Sequence, residues 1–362
     1  MSSAHLAELA NCFAIDGVAC TVEPLGNGNV NDTYRVETTS GTRYVLQRLN
    51  TEVFQRPDLV MANLQALTRH CQGKRLQDGW QVVEPLPERV SSDWLHQDGD
   101  GHWWRLLTYI SGAHSTDVLS SPQQAAEIGR GLGRFHALVH DLPAEQLADT
   151  LEGFHITPLY YEQYVQTLKR RPAGADPQQA WCIAFVAARQ PLVPVLEQAR
   201  AEGRLQLRPI HGDPKVNNVM LCSATGCAVA MVDLDTVKPG LIHTDIGDAL
   251  RSGCNPAGEE TTDLASVHFD LVMARAMLSG YLAEAGSLLS DHDIAHLYDA
   301  IRLLPFELGL RFFSDHLAGN VYFKVDHPRH NLDRALVQFR LTESVEAQEQ
   351  AIRSLIAELT GR

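Results

Sequence analysis

Two short stretches decide the fold of this chain: His211-Gly212-Asp213-Pro214-Lys215-Val216-Asn217-Asn218 and, behind it, Val232-Asp233-Leu234-Asp235. An aspartate on a rigid loop can accept a proton from a substrate hydroxyl, and a lysine two residues later can reach a phosphoryl group in transfer. An amide oxygen five residues after the aspartate, and a carboxylate at the end of the next hairpin, are oxygen ligands of the kind that Mg²⁺ prefers. The spacing therefore favours a site for phosphoryl transfer.

The pattern His-x-Asp-x-x-x-x-Asn, followed by an aspartate between apolar residues, resembles the aminoglycoside phosphotransferase and choline kinase group, which has the protein-kinase-like fold. The resemblance implies that Asp213 is the catalytic base and that Lys215 contacts the phosphoryl group. It also implies that Asn218 and Asp233 bind the metal ion, with Asp235 either joining them or only bracing the site. A single His-x-Asp is common in loops, whereas the full combination is much more specific.

Composition excludes several other classes of function. The 362 residues carry a formal net charge of -14, so no nucleic-acid partner and no basic membrane-binding surface are expected. Hydrophobic residues make up 44% of the chain, which is enough for a packed core. No secretion signal or membrane span is evident, and the seven cysteines show no CxxC pair. We therefore expect a cytoplasmic protein without an obligate protein partner, with Cys222 and Cys227 as packed thiols.

The order of elements predicts an α+β, two-lobed protein-kinase-like fold. Residues 1–110 are predicted to form a small β-rich N-lobe with one main helix, and residues 111–362 a larger, mostly helical C-lobe with the catalytic loop. Strands are expected at 18–25, 32–38, 42–49, 80–86, 92–97, 102–110, 218–222 and 228–232. Helices are expected at 3–13, 57–72, 122–142, 178–201 (kinked or split by its prolines), 262–285, 291–313 and 333–360.

Two N-lobe segments suit a nucleotide. A glycine-rich turn between two strands can lay backbone N–H groups over phosphates, and Gly26, Gly28 and Asn29 lie in such a turn. The turn lacks the third glycine of GxGxxG, so alone it would indicate only a hairpin. The strand that ends in Thr108, Tyr109 and Ile110 resembles the hinge whose backbone binds adenine.

The third strand departs from the kinase pattern. Gln47 stands where kinase-like folds usually have a phosphate-binding lysine, and Arg48 points to the other face of a regular strand. Either Gln47 contacts phosphate as a neutral donor, or a bulge redirects Arg48. The next helix offers no glutamate, and Asn63 is a possible polar partner.

Several strings, including YVLQRLN, HGDPKVNN, VDLDTVKPG and HNLDRALVQFRLTESVE, look like those of the N-acetylhexosamine 1-kinases, a resemblance that extends over about residues 20 to 345 and includes the glutamine on the third strand. It implies ATP- and Mg²⁺-dependent phosphorylation of the anomeric hydroxyl of N-acetylglucosamine or N-acetylgalactosamine. The sugar-binding residues it implies are Asn31, Asp32, Asp213, Arg311 and Tyr322.

Three alternatives remain. The first is a related small-molecule kinase acting on an aminoglycoside, choline or another hydroxylated compound. The second is a nucleotide-binding pseudokinase, for which Gln47 is the sole support. The third, a protein kinase, is disfavoured because the chain has no DFG or APE element. Asp245 and Asp248 are expected to brace the catalytic loop, with Arg251 paired to one of them.

Overall fold

The protein is described here by a computed structural model that covers residues 2–26, 30–74, 76, 79–170 and 176–362. It has the predicted α+β, kinase-like fold with an antiparallel N-lobe sheet and a helical C-lobe. The strands are β1 (Ala19–Pro24), β2 (Asp32–Thr38), β3 (Arg43–Arg48), β4 (Pro85–Leu86), β5 (His96–Gln97), β6 (Trp103–Thr108), β7 (Ala113–His114), β8 (Arg208–Ile210), β9 (Val219–Cys222), β10 (Ala228–Met231) and β11 (Lys238–Gly240).

The helices are α1 (Ser3–Asn11), α2 (Pro57–Gln72), α3 (Pro122–Val139), α4 (Thr157–Arg170), α5 (Pro177–Ala188), α6 (Val195–Ala201), α7 (Ile242–Gly253), α8 (Leu271–Ala285), α9 (Asp291–Ala295), α10 (Leu297–Ala318), α11 (His330–Ala347) and α12 (Glu349–Thr360). Two compact units contain these elements. One comprises residues 1–114, 141–152 and 220–239, and the other residues 115–140, 153–219 and 240–362. We call them the sheet unit and the helical unit. The sequence-based boundary after residue 110 stays a prediction.

The sheet unit is built on an antiparallel sheet with the strand order β1-β2-β3-β6-β4, and β5 also pairs with β6. The sheet has two distinct faces, because successive side chains of a strand point to opposite sides. Val36, Leu46 and Leu106 are fully buried and pack with Phe13 of the segment after α1. The short strands β4 and β5 occupy only part of the longer stretches predicted at 80–86 and 92–97.

The helical unit has a core centred on α10 and α11, in which Phe185 and Phe339 stack with ring centroids 4.6 Å apart. Glycines let α3 and α8 pack closely. A Cβ at Gly129 would lie 1.9 Å from the Met277 carbonyl oxygen, and one at Gly280 would lie 2.0 Å from that of Ala126. Any larger side chain there would therefore push the two helices apart.

One helix prediction is confirmed, and others needed correction. The segment 178–201 is split around its prolines, as anticipated, into α5, a 3₁₀ turn (Gln190–Leu192) and α6. The segment 262–285 is helical only from Leu271, because Asp270 caps that helix by accepting from the N–H groups of Val272 and Met273. The segment 333–360 is two helices that meet at Gln348.

The cysteine prediction is also partly wrong. All seven cysteines are free, but Cys227 is exposed and Cys222 is half-buried, so these two are not packed thiols. They lie at the ends of the β9–β10 hairpin turn, where the N–H of Cys222 donates to the Cys227 carbonyl at 2.8 Å.

No single helix of the described chain is long and apolar enough to cross a membrane, although the bent pair Pro177–Ala188 and Gln190–Ala201 together passes a test of length and composition.

Candidate active site

Residues 211–218 of the helical unit, which we call the catalytic loop after their predicted role, follow β8. They bring three of the predicted site residues together. The Nζ of Lys215 lies 3.1 Å from Oδ2 of Asp213. Nδ2 of Asn218 donates to the backbone oxygen of Asp213 at 2.7 Å, in a 3₁₀ turn formed by Val216–Asn218. This hydrogen bond fixes the Asn218 amide with its Oδ1 directed away from the bond, and no described residue donates to that oxygen. The loop thus offers one half-buried carboxylate, one amine and one amide oxygen.

Asp245 holds this loop from the first turn of α7. Its side chain is fully buried, and its two oxygens accept from the backbone N–H groups of His211 at 2.7 Å and Gly212 at 2.9 Å. Hydrogen bonds to a carboxylate are stronger than those between neutral groups. The predicted bracing role of Asp245 is therefore confirmed.

Two further buried side chains, His136 of α3 and Tyr281 of α8, support Asp245. Nε2 of His136 lies 2.9 Å from Oδ2 of Asp245, and its Nδ1 lies 2.9 Å from the hydroxyl of Tyr281. Burial raises the pKa of Tyr281 well above its usual value, so this hydroxyl stays protonated. Asp245 therefore belongs to a chain of hydrogen bonds that ends in the helical core.

The predicted pairing of Arg251 is also present, whereas the bracing role of Asp248 stays a prediction. Nε of Arg251 donates to Oδ1 of Asp248 at 2.6 Å, and its Nη1 donates to Glu259 at 2.9 Å. Ser252 on the same helix accepts from the backbone N–H of Val216 at 3.2 Å. The helix α7 thus contacts the catalytic loop at several points.

His155 contacts the same loop from the segment before α4. Its Nε2 lies 2.9 Å from the carbonyl oxygen of Gly212, and its Nδ1 lies 2.8 Å from Oε1 of Glu307. Both partners are acceptors, so both ring nitrogens must carry protons. Burial opposes that charge, but the carboxylate of Glu307 more than offsets it and raises the pKa of His155 above its usual 6.5. His155 is therefore a buried cation that positions the loop.

Replacing His155 with glutamine should make stability less dependent on pH. The folded-state pKa of His155 is raised, so its stabilising contribution is complete below about pH 6.5 and is lost as pH rises through the raised pKa. The difference in unfolding free energy between wild type and His155→Gln should thus be larger at pH 6 than at pH 9. Urea unfolding across this range measures it. His268→Gln, at an exposed histidine, is the control. A difference that stays constant with pH would contradict the assignment of a cationic His155.

Arg311 and Tyr322, the predicted sugar contacts from the C-lobe, share one neighbourhood in the helical unit. The guanidinium of Arg311 lies 5.0 to 5.4 Å from the ring centres of three aromatic residues, Phe154, Tyr160 and Phe323. Burial alone would lower the pKa of Arg311, but neighbouring oxygens, among them those of Tyr322 and Asp213, raise it. No described residue forms a hydrogen bond or an ion pair with this guanidinium, so its donors remain available.

The carboxylate of Asp315 shapes the chain around Tyr322. It is buried at the end of α10 and accepts from the backbone N–H groups of Val321, Tyr322 and Phe323 at 2.8 to 2.9 Å. Asn331 donates to it as well, at 2.9 Å. These bonds hold the Tyr322 backbone while its side chain remains exposed.

In the sheet unit, Asp233 follows β10 and has a left-handed backbone with φ 60°. This conformation is uncommon for a residue other than glycine and concentrates at functional sites. The side chain of Asp233 is exposed. Asp235, two residues later, is buried instead: its Oδ2 accepts from Nδ2 of Asn31 at 2.6 Å and its Oδ1 contacts Arg105. The alternative that Asp235 braces the site is therefore the favoured one.

The third strand is regular, which excludes the predicted alternative of a bulge. Thr33 pairs with Gln47 and Asp32 with Arg48 in unbroken register. Arg48 forms an ion pair with Asp32, one of the predicted sugar ligands. Gln47 accepts from Arg105 and donates to Thr33. Arg48 is thus directed to Asp32 and not to the position of the missing lysine.

The remaining N-lobe residues lie in the same unit. Asn31 uses both ends of its amide, since its Oδ1 also accepts from the N–H of Asn50 at 2.9 Å. Asn63 binds the backbone of Ala148 and Val237 and so is not the partner of the third strand.

Among the predicted nucleotide-binding residues, Gly26 has φ 68° in the turn after β1, whereas Gly28 and Asn29 lie outside the described residues. The hinge residues Thr108, Tyr109 and Ile110 follow one another at the end of β6. The N–H of Thr108 donates to the Glu84 carbonyl at 2.8 Å.

The residues present fit a magnesium ion by their chemistry. Asp233 supplies an exposed carboxylate and Asn218 an amide oxygen to which no described residue donates, both hard oxygen ligands. Asn218 belongs to the helical unit and Asp233 to the sheet unit.

Sequence reasoning missed four positions: His155, Glu307, Asp315 and Arg105. His155, Glu307 and Arg105 contact residues far away in sequence, so no local spacing reveals them, whereas Asp315 binds backbone groups six to eight residues later. One signal was available for Glu307, which is a carboxylate inside the otherwise apolar segment Leu303-Leu304-Pro305-Phe306-Glu307-Leu308. A buried carboxylate requires a partner, and His155 is that partner.

Comparison with known proteins identifies the family of the chain. Residues 21–277 match the family model described as the phosphotransferase enzyme family, and the chain belongs to that family. It is thus a phosphotransferase with a kinase-like fold, and the catalytic loop lies within the matched residues.

Solved structures show the same fold at low sequence identity. A microcompartment-associated aminopropanol kinase has 16% identity and a TM-score of 0.65, with 98% of this chain and 99% of that chain covered. A choline kinase from Cryptosporidium parvum has 12% identity and a TM-score of 0.61, with 99% of each chain covered. A spectinomycin phosphotransferase in complex with ADP and spectinomycin has 12% identity and a TM-score of 0.61, covering 97% and 99%. These similarities concern the fold.

Proposed function

We propose that the protein is a cytoplasmic, ATP- and Mg²⁺-dependent kinase that phosphorylates the anomeric hydroxyl of N-acetylhexosamines to give the 1-phosphate. The observation that carries the proposal is the catalytic loop, in which the Asp213 carboxylate lies beside Lys215 on a backbone held by Asp245 and His155. A fixed carboxylate of this kind suits an acceptor that must lose one proton as its oxygen attacks.

The proposed roles follow the chemistry of each group. Asp213 orients the attacking hydroxyl and accepts its proton, and Lys215 offsets charge that develops on the transferred phosphoryl group. Asn218 and Asp233 would each offer an oxygen ligand to a metal ion, which when bound would neutralise phosphate oxygens. The anomeric hydroxyl is more acidic than other sugar hydroxyls, so a carboxylate suffices as its base.

The acceptor is proposed to bind Arg311 and Tyr322, with Asp32 as a further contact. The N–H groups of Arg311 suit the carbonyl oxygen of an acetamido group, and the exposed ring of Tyr322 suits a sugar face. Asn31 has both ends of its amide engaged with Asp235 and Asn50, so we assign it to positioning of this region.

The nucleotide is proposed to contact Gly26, Gly28 and Asn29 of the glycine-rich segment, the side chain of Gln47, and the backbone of the hinge. An amide donor and backbone N–H groups can bind phosphate without a lysine. The pseudokinase alternative accounts for the site less well. A pseudokinase would not need an aspartate, a lysine and an asparagine arranged as in 213–218.

The second candidate is a choline-type, aminoalcohol or aminoglycoside kinase, which the fold of the solved relatives favours. These acceptors are cations. Arg311 is itself a cation; the carboxylates of Glu307 and Asp213 raise its pKa, but no carboxylate of the described chain forms an ion pair with it. A neutral acceptor with a carbonyl group avoids the repulsion that a cationic acceptor would meet there.

An ADP-release assay with a panel of acceptors tests the proposal. N-acetylglucosamine and N-acetylgalactosamine should release ADP with kcat/KM at least about tenfold above that for choline, an aminopropanol or spectinomycin, because the acetamido sugars are uncharged and offer an amide carbonyl to Arg311. Glucose serves as the matched control that lacks the acetamido group. Faster ADP release with choline, the aminopropanol or spectinomycin would replace the sugar assignment with the second candidate.

A further inference from the structure

Arg105 lies in the middle of β6, opposite Gln47 of β3 in the register of the sheet. Its side chain is only 1% exposed. A buried cation is costly unless its charge is paired and its N–H groups are hydrogen-bonded. The contacts of Arg105 therefore bear on the question that the sequence leaves open, namely what replaces the missing third-strand lysine.

The guanidinium of Arg105 donates two hydrogen bonds to one atom of Gln47, an arrangement that we call the fork. Its Nε lies 3.0 Å and its Nη2 2.7 Å from Oε1 of Gln47, and Nη2 also forms an ion pair with Asp235. A guanidinium can only donate, so the atom of Gln47 that faces it must be the amide oxygen. Arg105 thus fixes which way the Gln47 amide points.

The amide nitrogen of Gln47 is the other end of this arrangement. It donates one N–H to Oγ1 of Thr33 at 3.0 Å, while its second N–H has no acceptor within the described part of the chain. Gln47 is partly exposed, unlike Arg105. Two hydrogen bonds from a cation to the amide oxygen also polarise the amide and strengthen its N–H groups as donors.

The same cation reaches the segment of the proposed metal ligand. Asp235, its ionic partner, lies two residues after Asp233 and is also bound by Asn31. A lysine at position 47 would place a second positive charge against buried Arg105, whereas glutamine offers an oxygen to it. The glutamine and the arginine are therefore chemically matched.

We propose that Arg105 is a positioning residue that, through Gln47, replaces the third-strand lysine: it holds the Gln47 amide so that a polarised N–H is presented to a nucleotide phosphate. This inference rests on the proposed function and names how its nucleotide side works. Arg105 itself is too buried to touch the nucleotide, and Gln47 makes the contact.

Equilibrium binding of a non-hydrolysable ATP analogue with Mg²⁺, by calorimetry on the full chain without acceptor, tests this inference. Arg105→Lys keeps the charge but loses the fork on Gln47, and Gln47→Met removes the donor at similar size. Each should raise the Kd of the analogue about tenfold, the usual worth of a hydrogen bond to a charged group. Arg43→Lys, in an exposed ion pair at the start of β3, is the control and should bind as wild type does.

The double variant gives the decisive readout. If Arg105 acts through Gln47, the Kd of Arg105→Lys/Gln47→Met equals that of Gln47→Met alone, whereas independent effects multiply to about a hundredfold and overturn the proposal. A Kd within twofold of wild type for Gln47→Met also overturns it, whatever the stability of the Arg105 variant. Wild-type protein that binds ATP but phosphorylates no sugar removes only the sugar assignment. Wild-type protein that binds no nucleotide removes both proposals.

Discussion

Asparagine in place of Asp213 is expected to reduce kcat by about 10³-fold while the affinity for the ATP analogue changes little. Asparagine keeps the size of the side chain and one acceptor oxygen but cannot accept the proton of the acceptor hydroxyl. The loop should keep its shape, because the bonds that hold it come from Asn218 to the Asp213 backbone and from Asp245 to its neighbours. Steady-state ADP release and calorimetry on the same preparation separate the two effects.

Asp263→Asn is the matched control, because Asp263 is an exposed loop residue of the helical unit and the substitution is the same. Its turnover should equal that of wild type. Turnover of Asp213→Asn within tenfold of wild type would show that Asp213 is not the base. Loss of nucleotide affinity together with turnover would instead indicate that Asp213 acts in binding.

The second large effect is expected at Asp245, a residue that touches no substrate in the proposal. In Asp245→Asn one of the two backbone N–H groups of the loop, at His211 or Gly212, faces an amide N–H in place of an oxygen. Loss of a buried, charged hydrogen bond should lower the free energy of unfolding by about 3 kcal/mol. Because the loop that positions Asp213 then loses one of its anchors, kcat should fall by about 10²-fold.

Urea unfolding and steady-state kinetics of Asp245→Asn measure both effects. The control is Asp270→Asn, at the N-cap of α8, where asparagine caps as well as aspartate and both quantities should stay near wild type. A variant that is destabilised but turns over at the wild-type rate would show that Asp245 serves the fold alone. Unchanged stability would contradict the hydrogen bonds described for it.

Local sequence predicted the elements whose signals are local. Helix α2 has the predicted bounds, because Pro57 at its start and Gly73 after its end mark both termini. The loop 211–218 could be recognised because its chemistry lies within eight consecutive residues. The helix break at Gln348 could not, since apolar periodicity continues across it.

The network around Gln47 shows why the rest escaped prediction. Arg105 follows Gln47 by 58 residues, and Asp235 follows Asn31 by 204. Only the register of the sheet brings the first pair together, and sequence alone leaves that register undetermined. His155 is hidden for the same reason, because its partners Gly212 and Glu307 lie on other elements.

Phosphorus NMR of the product formed from ATP and N-acetylglucosamine or N-acetylgalactosamine tests the central claim most directly. If Asp213 deprotonates the anomeric hydroxyl, the product signal is a phosphate ester coupled to the anomeric proton, and it does not form with Asp213→Asn. A phosphate coupled to the protons of carbon 6, or no ester with either sugar while ADP is released with another acceptor, would contradict the account.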